Sequence, residues 1–267
     1  MTDHADKSLI DRAKAGDAHA MEQVLAKYET RVYRFGLRMC GNEDDARDVL
    51  QETLLSAFKN LSTFRGDAQL STWLYQVARS FCVKQRRRHE GEPAHHVDVT
   101  TAEVRQVATT DVEPDGRTHA RQVGEVIQAA MGALKDEFRE ALVLRDVEGL
   151  SADEAAEVVG IEVGALKTRL HRARMQLKQN LAAVLDEQTT DLGCPELQLE
   201  LSAYAASEID QAACARIEAH LSTCAHCTAA CDALKRTVSM CRSIPGGEVP
   251  ATVKAAVRHA LRQITVR

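Results

Sequence analysis

Apolar side chains recur every three to four residues over most of residues 8–89, the spacing that places them on one face of a helix. The clearest stripe consists of Val49, Leu50, Leu54, Ala57, Phe58 and Leu61. The other side of the same segment is polar and carries Asp45, Asp48, Gln51 and Glu52. The pattern predicts a helical domain over residues 8–89 with a buried stripe and an exposed acidic face.

The helical pattern stops over residues 90–119, which are rich in Thr, Asp and Glu, and we interpret this stretch as a flexible acidic linker. The pattern returns from Val123 to Leu185 with breaks at Gly149 and Gly160. Ser151 is placed to cap the short helix between these breaks. Two short helices joined by a glycine-containing turn predict a helix-turn-helix within residues 120–186.

A cysteine-rich block follows at residues 194–245, and residues 250–267 predict a final amphipathic helix. The chain is 45% hydrophobic but only 4% aromatic, which favours Ala-, Leu- and Val-rich helices over strands. We therefore expect an all-α protein of several small domains. The sequence holds no apolar run of membrane-spanning length and no signal peptide at its N-terminus, so we expect a cytoplasmic protein with no membrane association.

The net charge of −5 would weigh against nucleic-acid binding, but the cations are concentrated locally. The second helix of the predicted helix-turn-helix carries Lys167, Thr168, Arg169, His171, Arg172 and Arg174. Side chains of these types contact phosphates and guanine edges in a major groove. The apolar residues expected to pack the two helices together are Ala155, Ala156, Val159, Ile161, Leu166 and Leu170. A solvated basic face on a helical hairpin is the plainer alternative.

A second basic group lies at the end of the first domain and consists of Arg79, Lys84, Arg86, Arg87 and Arg88. It follows the single tryptophan, Trp73. Bases of an unpaired strand stack on aromatic rings beside such a basic helix. An aromatic residue at helical spacing is more often part of a core, so Trp73 has two interpretations.

Six of the eight cysteines follow residue 190, and four residues form the pattern C-x25-H-x3-C-x2-C: Cys194, His220, Cys224 and Cys227. A zinc site requires about four nitrogen or sulfur ligands, and a C-x2-C pair at a corner between two helices supplies two of them. In a reducing compartment this pattern indicates a metal rather than disulfides. We expect Zn(II) or copper, and soft thiolates also suit Cd(II).

Three further thiols, Cys214, Cys231 and Cys241, go beyond a four-ligand site and are candidates for an additional metal site or for regulation. Cys227 and Cys231 are spaced to share a helix face. The two remaining cysteines, Cys40 and Cys82, are interpreted as small buried hydrophobic residues.

Two long segments resemble the extracytoplasmic-function (ECF) group of the sigma-70 family. DDARDVLQETLLSAFKNLSTFRGDAQLSTWLYQVARSFCVKQRRR resembles region 2 and VLRDVEGLSADEAAEVVGIEVGALKTRLHRARMQLK resembles region 4. The resemblance covers about residues 8–186. It implies that the first domain binds core RNA polymerase and the −10 promoter element, and that the helix-turn-helix binds the −35 element. It implies no catalytic residues, so the protein is not expected to be an enzyme.

The resemblance also implies roles for individual residues. The polymerase-binding positions are Asp48, Gln51 and Glu52. Those that contact the −10 element are Ser71, Thr72, Trp73, Lys84, Arg86, Arg87 and Arg88. Those that contact the −35 element are Lys167, Thr168, Arg169, His171 and Arg172. One departure is Ser80, which stands where the family often has an asparagine that holds a flipped base.

The block from Cys194 to Leu234 resembles the zinc-binding anti-sigma domain, and the whole chain resembles the CorE-like group of metal-responsive sigma factors. This implies that metal binding regulates transcription and that no separate anti-sigma factor is required. One alternative is a purely structural zinc domain that docks another regulatory protein. Another is a plain helix-turn-helix repressor or a metal-storage module, which the DVLQET and STWLYQVAR segments disfavour.

Overall fold

The computed structural model describes residues 4–64, 66, 69–91, 116–185, 193–244 and 248–265. Side chains at 4–6, 88–91, 116–122, 183–185 and 259–265 are not part of that description, and most of the predicted linker, residues 92–115, lies outside it. These described ranges contain helices and no strand, which confirms the all-α prediction. The chain divides into two compact units, residues 1–95 with 246–267 and residues 96–245.

The helices are α1 (His4–Lys14), α2 (Ala18–Cys40), α3 (Glu43–Asn60), α4 (Leu70–Gly91), α5 (Gly116–Gly132), α6 (Asp136–Leu142), α7 (Ala152–Val159), α8 (Val163–Leu185), α9 (Gln198–Ala205), α10 (Gln211–Leu221), α11 (Ala225–Ser243) and α12 (Ala251–Thr265). A π-helical turn, Val143–Val147, continues α6. Helix α5 thus begins four residues before the end of the predicted linker. None of the helices within the described ranges is long and apolar enough to span a membrane.

In the first unit, α2, α3 and α4 pack around one apolar core. Asp17 caps α2 by accepting the N–H groups of His19 and Ala20, and Asn42 caps α3. The predicted stripe on α3 and the residue after it is buried at Val49, Leu50, Leu54, Ala57 and Leu61, which are at most 1% exposed, while Phe58 is half-buried. Helix α12 also belongs to this unit and packs against α3 through the buried Val253 and Val257.

In the second unit, α7 and α8 form the predicted helix-turn-helix. The Ser151 hydroxyl accepts the N–H of Glu154 while the Glu154 carboxylate accepts the N–H of Ser151, so the start of α7 is capped reciprocally. Gly160 ends α7 in the left-handed conformation with a φ of 77°. The residues expected to join these helices are buried, apart from the half-buried Ile161: Ala155, Ala156, Val159, Leu166 and Leu170.

The cysteine-rich part of the same unit is built from α9, α10 and α11. Its core consists of Leu201, Ile217, Cys227 and Cys231. Both α9 and α11 also pack directly on α8. The cysteine-rich helices therefore share one compact unit with the helix-turn-helix.

Candidate metal centre and DNA-binding surfaces

The structure brings Cys194, His220, Cys224 and Cys227 together. One sulfur or imidazole nitrogen from each lies within 4.8 Å of all the others. The His220 Nε2 and Cys227 Sγ atoms are 3.2 Å apart, and the backbone N–H of Cys194 donates to the same sulfur at 3.2 Å. Four donors from three chain segments therefore converge on a single point.

Local structure explains how these segments meet. His220 lies in the last turn of α10, and Cys224 is the residue directly before α11, which holds Cys227 in its first turn. Cys194 arrives on the incoming segment after Gly193, whose φ is +75°. A Cβ at residue 193 would lie 2.8 Å from the Cys227 sulfur, so this position requires glycine. This contact was not predicted, since Gly193 does not stand out in the sequence.

The crowded thiols affect one another's ionisation. The Cys227 thiol, burial and the nearby charges raise the pKa of Cys194 to about 11. Hydrogen bonding from the Cys227 backbone N–H lowers the pKa of Cys224. A second thiolate is thus disfavoured beside the first unless a cation neutralises it.

The donor set and its spacing fit zinc. Zn–S bonds of about 2.3 Å and Zn–N bonds of about 2.0 Å place tetrahedral ligands roughly 3.5–3.8 Å apart. The separation of His220 from Cys227 is 3.2 Å and all four donors lie within 4.8 Å of one another, so small shifts of the side chains reach this geometry. Three thiolates and one imidazole would complete the four-coordinate shell of a structural zinc site. These four residues would hold the ion, and it would join α10, α11 and the segment before α9.

The three further thiols lie outside this cluster. Cys231, one turn after Cys227, is 1% exposed within the apolar core, and burial raises its pKa. Cys241 is also 1% exposed. Cys214 is half-buried on α10, and its sulfur lies 3.5 Å from a Glu218 oxygen. Within the part of the chain that the structure describes, none of the three belongs to a group of three or more possible metal ligands.

A buried ionic network joins the cysteine-rich helices to α8. The guanidinium of Arg174 donates two hydrogen bonds to the Asp146 carboxylate, at 2.8 and 2.6 Å. It also donates to the Ser202 carbonyl at 3.1 Å and to Glu208 Oε1 at 3.1 Å. Arg145 donates to the same Glu208 oxygen. Burial lowers the pKa of Arg174, but the two carboxylates outweigh burial and leave its pKa raised.

This network corrects one expectation, because Arg174 is 1% exposed and cannot contact DNA as placed. Ser202 and Glu208 belong to the cysteine-rich part, whereas Arg174 belongs to α8 and Arg145 and Asp146 to the π-helical turn that precedes α7. Ser207 precedes Glu208 with a φ of +61°, a left-handed conformation that costs a non-glycine residue about 1 kcal/mol. The surrounding packing outweighs this strain and sets the direction of Glu208.

The first half of α8 remains accessible within this unit. Lys167, Thr168 and Arg172 are exposed, and Arg169 lies 3.5 Å from Glu137 of α6. His171 is half-buried, and burial together with the charges of Arg174 and Arg172 lowers its pKa, which favours the neutral ring. The cysteine-rich helices therefore contact α8 at Arg174 and leave the side chains of Lys167, Thr168 and Arg172 exposed.

In the first unit, the acidic side of α3 forms a shallow cleft with α4. Asp48 and Glu52 are exposed and Gln51 is half-buried. The cleft has a volume of about 210 Å³ and is lined by Asp48, Val49, Gln51, Glu52, Phe81, Lys84 and Gln85. Lys84, which we assigned to DNA, thus lies beside the carboxylates that we assigned to polymerase.

The residues expected at the −10 element differ in exposure. Ser71 is half-buried, and Trp73 is half-buried and packs on Phe64 with ring centroids 5.6 Å apart, so both interpretations of Trp73 keep a physical basis. Thr72 is 1% exposed, so its side chain faces the interior. Arg86 is half-buried and Arg87 is exposed, while the side chain of Arg88 lies outside the described residues. Ser80 is exposed, and its hydroxyl donates to the Val77 carbonyl at 2.7 Å.

Three protein families match successive parts of the chain. Residues 24–92 match Sigma-70 region 2 and residues 124–177 match Sigma-70 region 4. Residues 194–228 match a zinc-finger family, and this range contains all four clustered ligands. The matches follow the order of the domains described above.

Similar proteins include the ECF RNA polymerase sigma factor SigW of Bacillus subtilis, which is 30% identical over 181 residues, 66% of this chain and 96% of SigW. The RNA polymerase sigma-H factor of Pseudomonas aeruginosa is 30% identical over 192 residues, 70% of this chain and 99% of that protein. The chain therefore belongs to the ECF RNA polymerase sigma factors, which direct core RNA polymerase to promoter DNA. It carries in addition a cysteine-rich domain of the zinc-finger type.

Two solved structures align with lower overall similarity. CnrH in complex with the cytosolic domain of CnrY is 26% identical, with a TM-score of 0.48 over 68% of this chain and 97% of that chain. RpoE in complex with the anti-sigma factor NepR, from Bartonella quintana, is 23% identical, with a TM-score of 0.45 over 60% of this chain and 95% of that chain. Both structures contain a second protein in complex with the aligned chain.

Proposed function

We propose that this ECF sigma factor is regulated by metal binding to its own cysteine-rich domain. The observation that carries the proposal is the shared packing of α8 with the helices around the four-ligand cluster. A metal ion that joins Cys194 to α10 and α11 would fix α9 and α11, which pack on α8. Loss or exchange of the ion would then alter the support of the DNA-reading helix.

The regulation requires a metal that binds one arrangement of the domain better than another, since equal affinity for both shifts no population. Thiolate and imidazole ligands favour Zn(II), copper and Cd(II) over hard cations. In this proposal the fused domain performs the role of a separate anti-sigma factor. The polymerase and promoter contacts are assigned to the acidic cleft on α3 and to the exposed residues of α8.

A structural zinc site is the second candidate, and the position of Cys214, Cys231 and Cys241 outside the four-residue cluster favours it. In that case the ion holds the domain folded, and transcription does not change with metal concentration. The two candidates differ in one measurable quantity, the metal dependence of promoter-directed transcription.

The deciding experiment is a titration of Zn(II), Cu(I), Cu(II) and Cd(II) in transcription with purified core polymerase. Metal regulation predicts a change in transcript yield that tracks occupancy. Glu208→Gln should keep the metal content of the parent but shift this response, because its neutral amide interacts less strongly with Arg145 and Arg174. A flat response to all four ions would favour the structural site.

Reversing two charges on α3 tests the polymerase surface. We expect Asp48→Arg with Glu52→Arg to keep the fold, because both side chains are exposed, and to weaken core polymerase binding at least about tenfold by like-charge repulsion from a basic partner. Binding is measured with labelled protein and purified core enzyme. Glu22→Arg, an exposed reversal on α2, is the matched control. Equal affinities of the double variant and the control would contradict the assignment.

Removing two exposed cations from α8 tests the DNA surface. Lys167→Ala with Arg172→Ala should lower promoter affinity and reduce the slope of log affinity against log salt by about 1.8, or about 0.9 per lost phosphate contact. Arg236→Ala on α11 is an exposed control outside the helix-turn-helix and should leave the slope unchanged. The prediction fails if the double variant keeps the parent's slope.

A further inference from the structure

The two cysteines outside the cysteine-rich domain lie against each other. Cys40 is the last residue of α2 and Cys82 lies within α4, 42 residues further along the chain. Their sulfur atoms are 3.6 Å apart. The sequence alone predicts two small buried hydrophobic residues, and only the packing of α2 on α4 brings them together.

The two cysteines differ in how far their side chains are exposed to solvent. Cys82 is fully buried, whereas Cys40 is half-buried and therefore reachable by a small oxidant. Disulfide sulfurs are about 2.05 Å apart, so the two atoms must approach by about 1.5 Å. Cys40 precedes Gly41, which ends α2 in the left-handed conformation with a φ of 83°. A side chain at a helix terminus can move more easily than one in the middle of α4.

We propose that Cys40 and Cys82 are an oxidation site that forms a reversible disulfide in the folded protein. The oxidant is a hydroperoxide. The Cys40 thiolate attacks the terminal peroxide oxygen, so an S–O bond forms, the O–O bond breaks and an alcohol or water leaves after protonation. The Cys82 sulfur then attacks the Cys40 sulfur, the S–S bond forms, and the S–O bond breaks with release of water.

This site is independent of the metal cluster and goes beyond metal regulation. The disulfide would join the end of α2, three residues before the start of α3, to α4 close in sequence to Phe81, Lys84 and Gln85. These three residues line the acidic cleft assigned to polymerase. Disulfides of this kind in reducing compartments are transient and serve to sense oxidants.

The test is peptide mapping of the full-length, zinc-loaded protein after treatment with hydrogen peroxide and alkylation of the remaining thiols. Trypsin should release residues 39–47 linked to residues 80–84, with a mass two hydrogens below the sum of the reduced peptides. Dithiothreitol should restore the separate peptides. Circular dichroism before digestion establishes that the oxidised protein is folded.

Cys214 is an internal comparison, because it is half-buried like Cys40 while its sulfur lies 3.5 Å from a Glu218 oxygen. Burial and this carboxylate raise the pKa of Cys214, which makes it the less easily oxidised thiol. Its oxidation shows that peroxide exposure was sufficient. Cys40→Ser and, separately, Cys82→Ala should abolish the linked peptide while leaving Cys214 oxidation unchanged. The proposal is overturned if the folded parent oxidises Cys214 without forming the 39–47 to 80–84 link, or if the link forms only in denaturant.

Discussion

Cys227→Ser is expected to abolish stable zinc binding and to unfold the cysteine-rich helices. The Cys227 sulfur is fully buried and lies 3.2 Å both from His220 Nε2 and from the Cys194 backbone nitrogen. A serine oxygen is shorter and is a much weaker zinc ligand than a thiolate. In small domains the free energy of metal binding also stabilises the fold. We therefore expect the affinity for zinc to fall more than about 100-fold and the backbone of α10 and α11 to lose its protection from hydrogen exchange.

Zinc content per chain and hydrogen exchange over residues 194–244 measure the two effects. Cys214→Ser is the matched control, because Cys214 is a cysteine of the same domain that lies outside the four-residue cluster. It should keep the parent's zinc content and exchange pattern. Full zinc occupancy in Cys227→Ser would refute the ligand assignment, while loss of zinc in both variants would refute the division between cluster and further thiols.

Much of the fold follows from local patterns in the sequence. The apolar stripe on α3 and the two ends of α7, capped by Ser151 and Gly160, depend on residues close together in the chain. Periodicity and capping chemistry were therefore sufficient to predict them. The position of α12 depends on a distant partner instead. Its apolar face predicts a helix, but its packing on α3 beside Glu29, which lies 3.8 Å from the Lys254 ammonium, is a tertiary property.

The candidate sites also differ in whether they depend on residues close together in the sequence or on distant contacts. His220, Cys224 and Cys227 are close in sequence, so their spacing identified a metal corner before the geometry was known. The prediction that Arg174 contacts DNA was wrong because it rested on the charge of the side chain and not on the face of α8 that the residue occupies. It lies four residues after the buried Leu170, and this spacing places it on the apolar face of α8. Its partners Asp146 and Glu208 lie 28 and 34 residues away, beyond any local pattern.

Arg174→Ala is expected to destabilise the second unit by about 3–5 kcal/mol, the usual effect of removing one partner from a buried ion pair. The Asp146 side chain is 0% exposed and would lose both hydrogen bonds from Arg174 at a position that solvent does not reach to replace them. Ser202 and Glu208 would lose their contacts with α8 at the same time. The loss therefore combines an unpaired buried carboxylate with a weaker junction between the helix-turn-helix and the cysteine-rich helices.

Urea denaturation followed by circular dichroism measures this effect, with Arg172→Ala as the matched control. Arg172 lies two residues earlier on α8 and is exposed, so its loss should change the free energy of unfolding by less than about 0.5 kcal/mol. If the two variants are equally stable, the network does not support the junction. The double variant Arg174→Ala with Asp146→Asn should recover part of the lost stability, because the neutral amide leaves no buried charge unpaired. If its stability recovers while its transcription still responds differently to metal, the network couples the two domains as well as stabilising the fold.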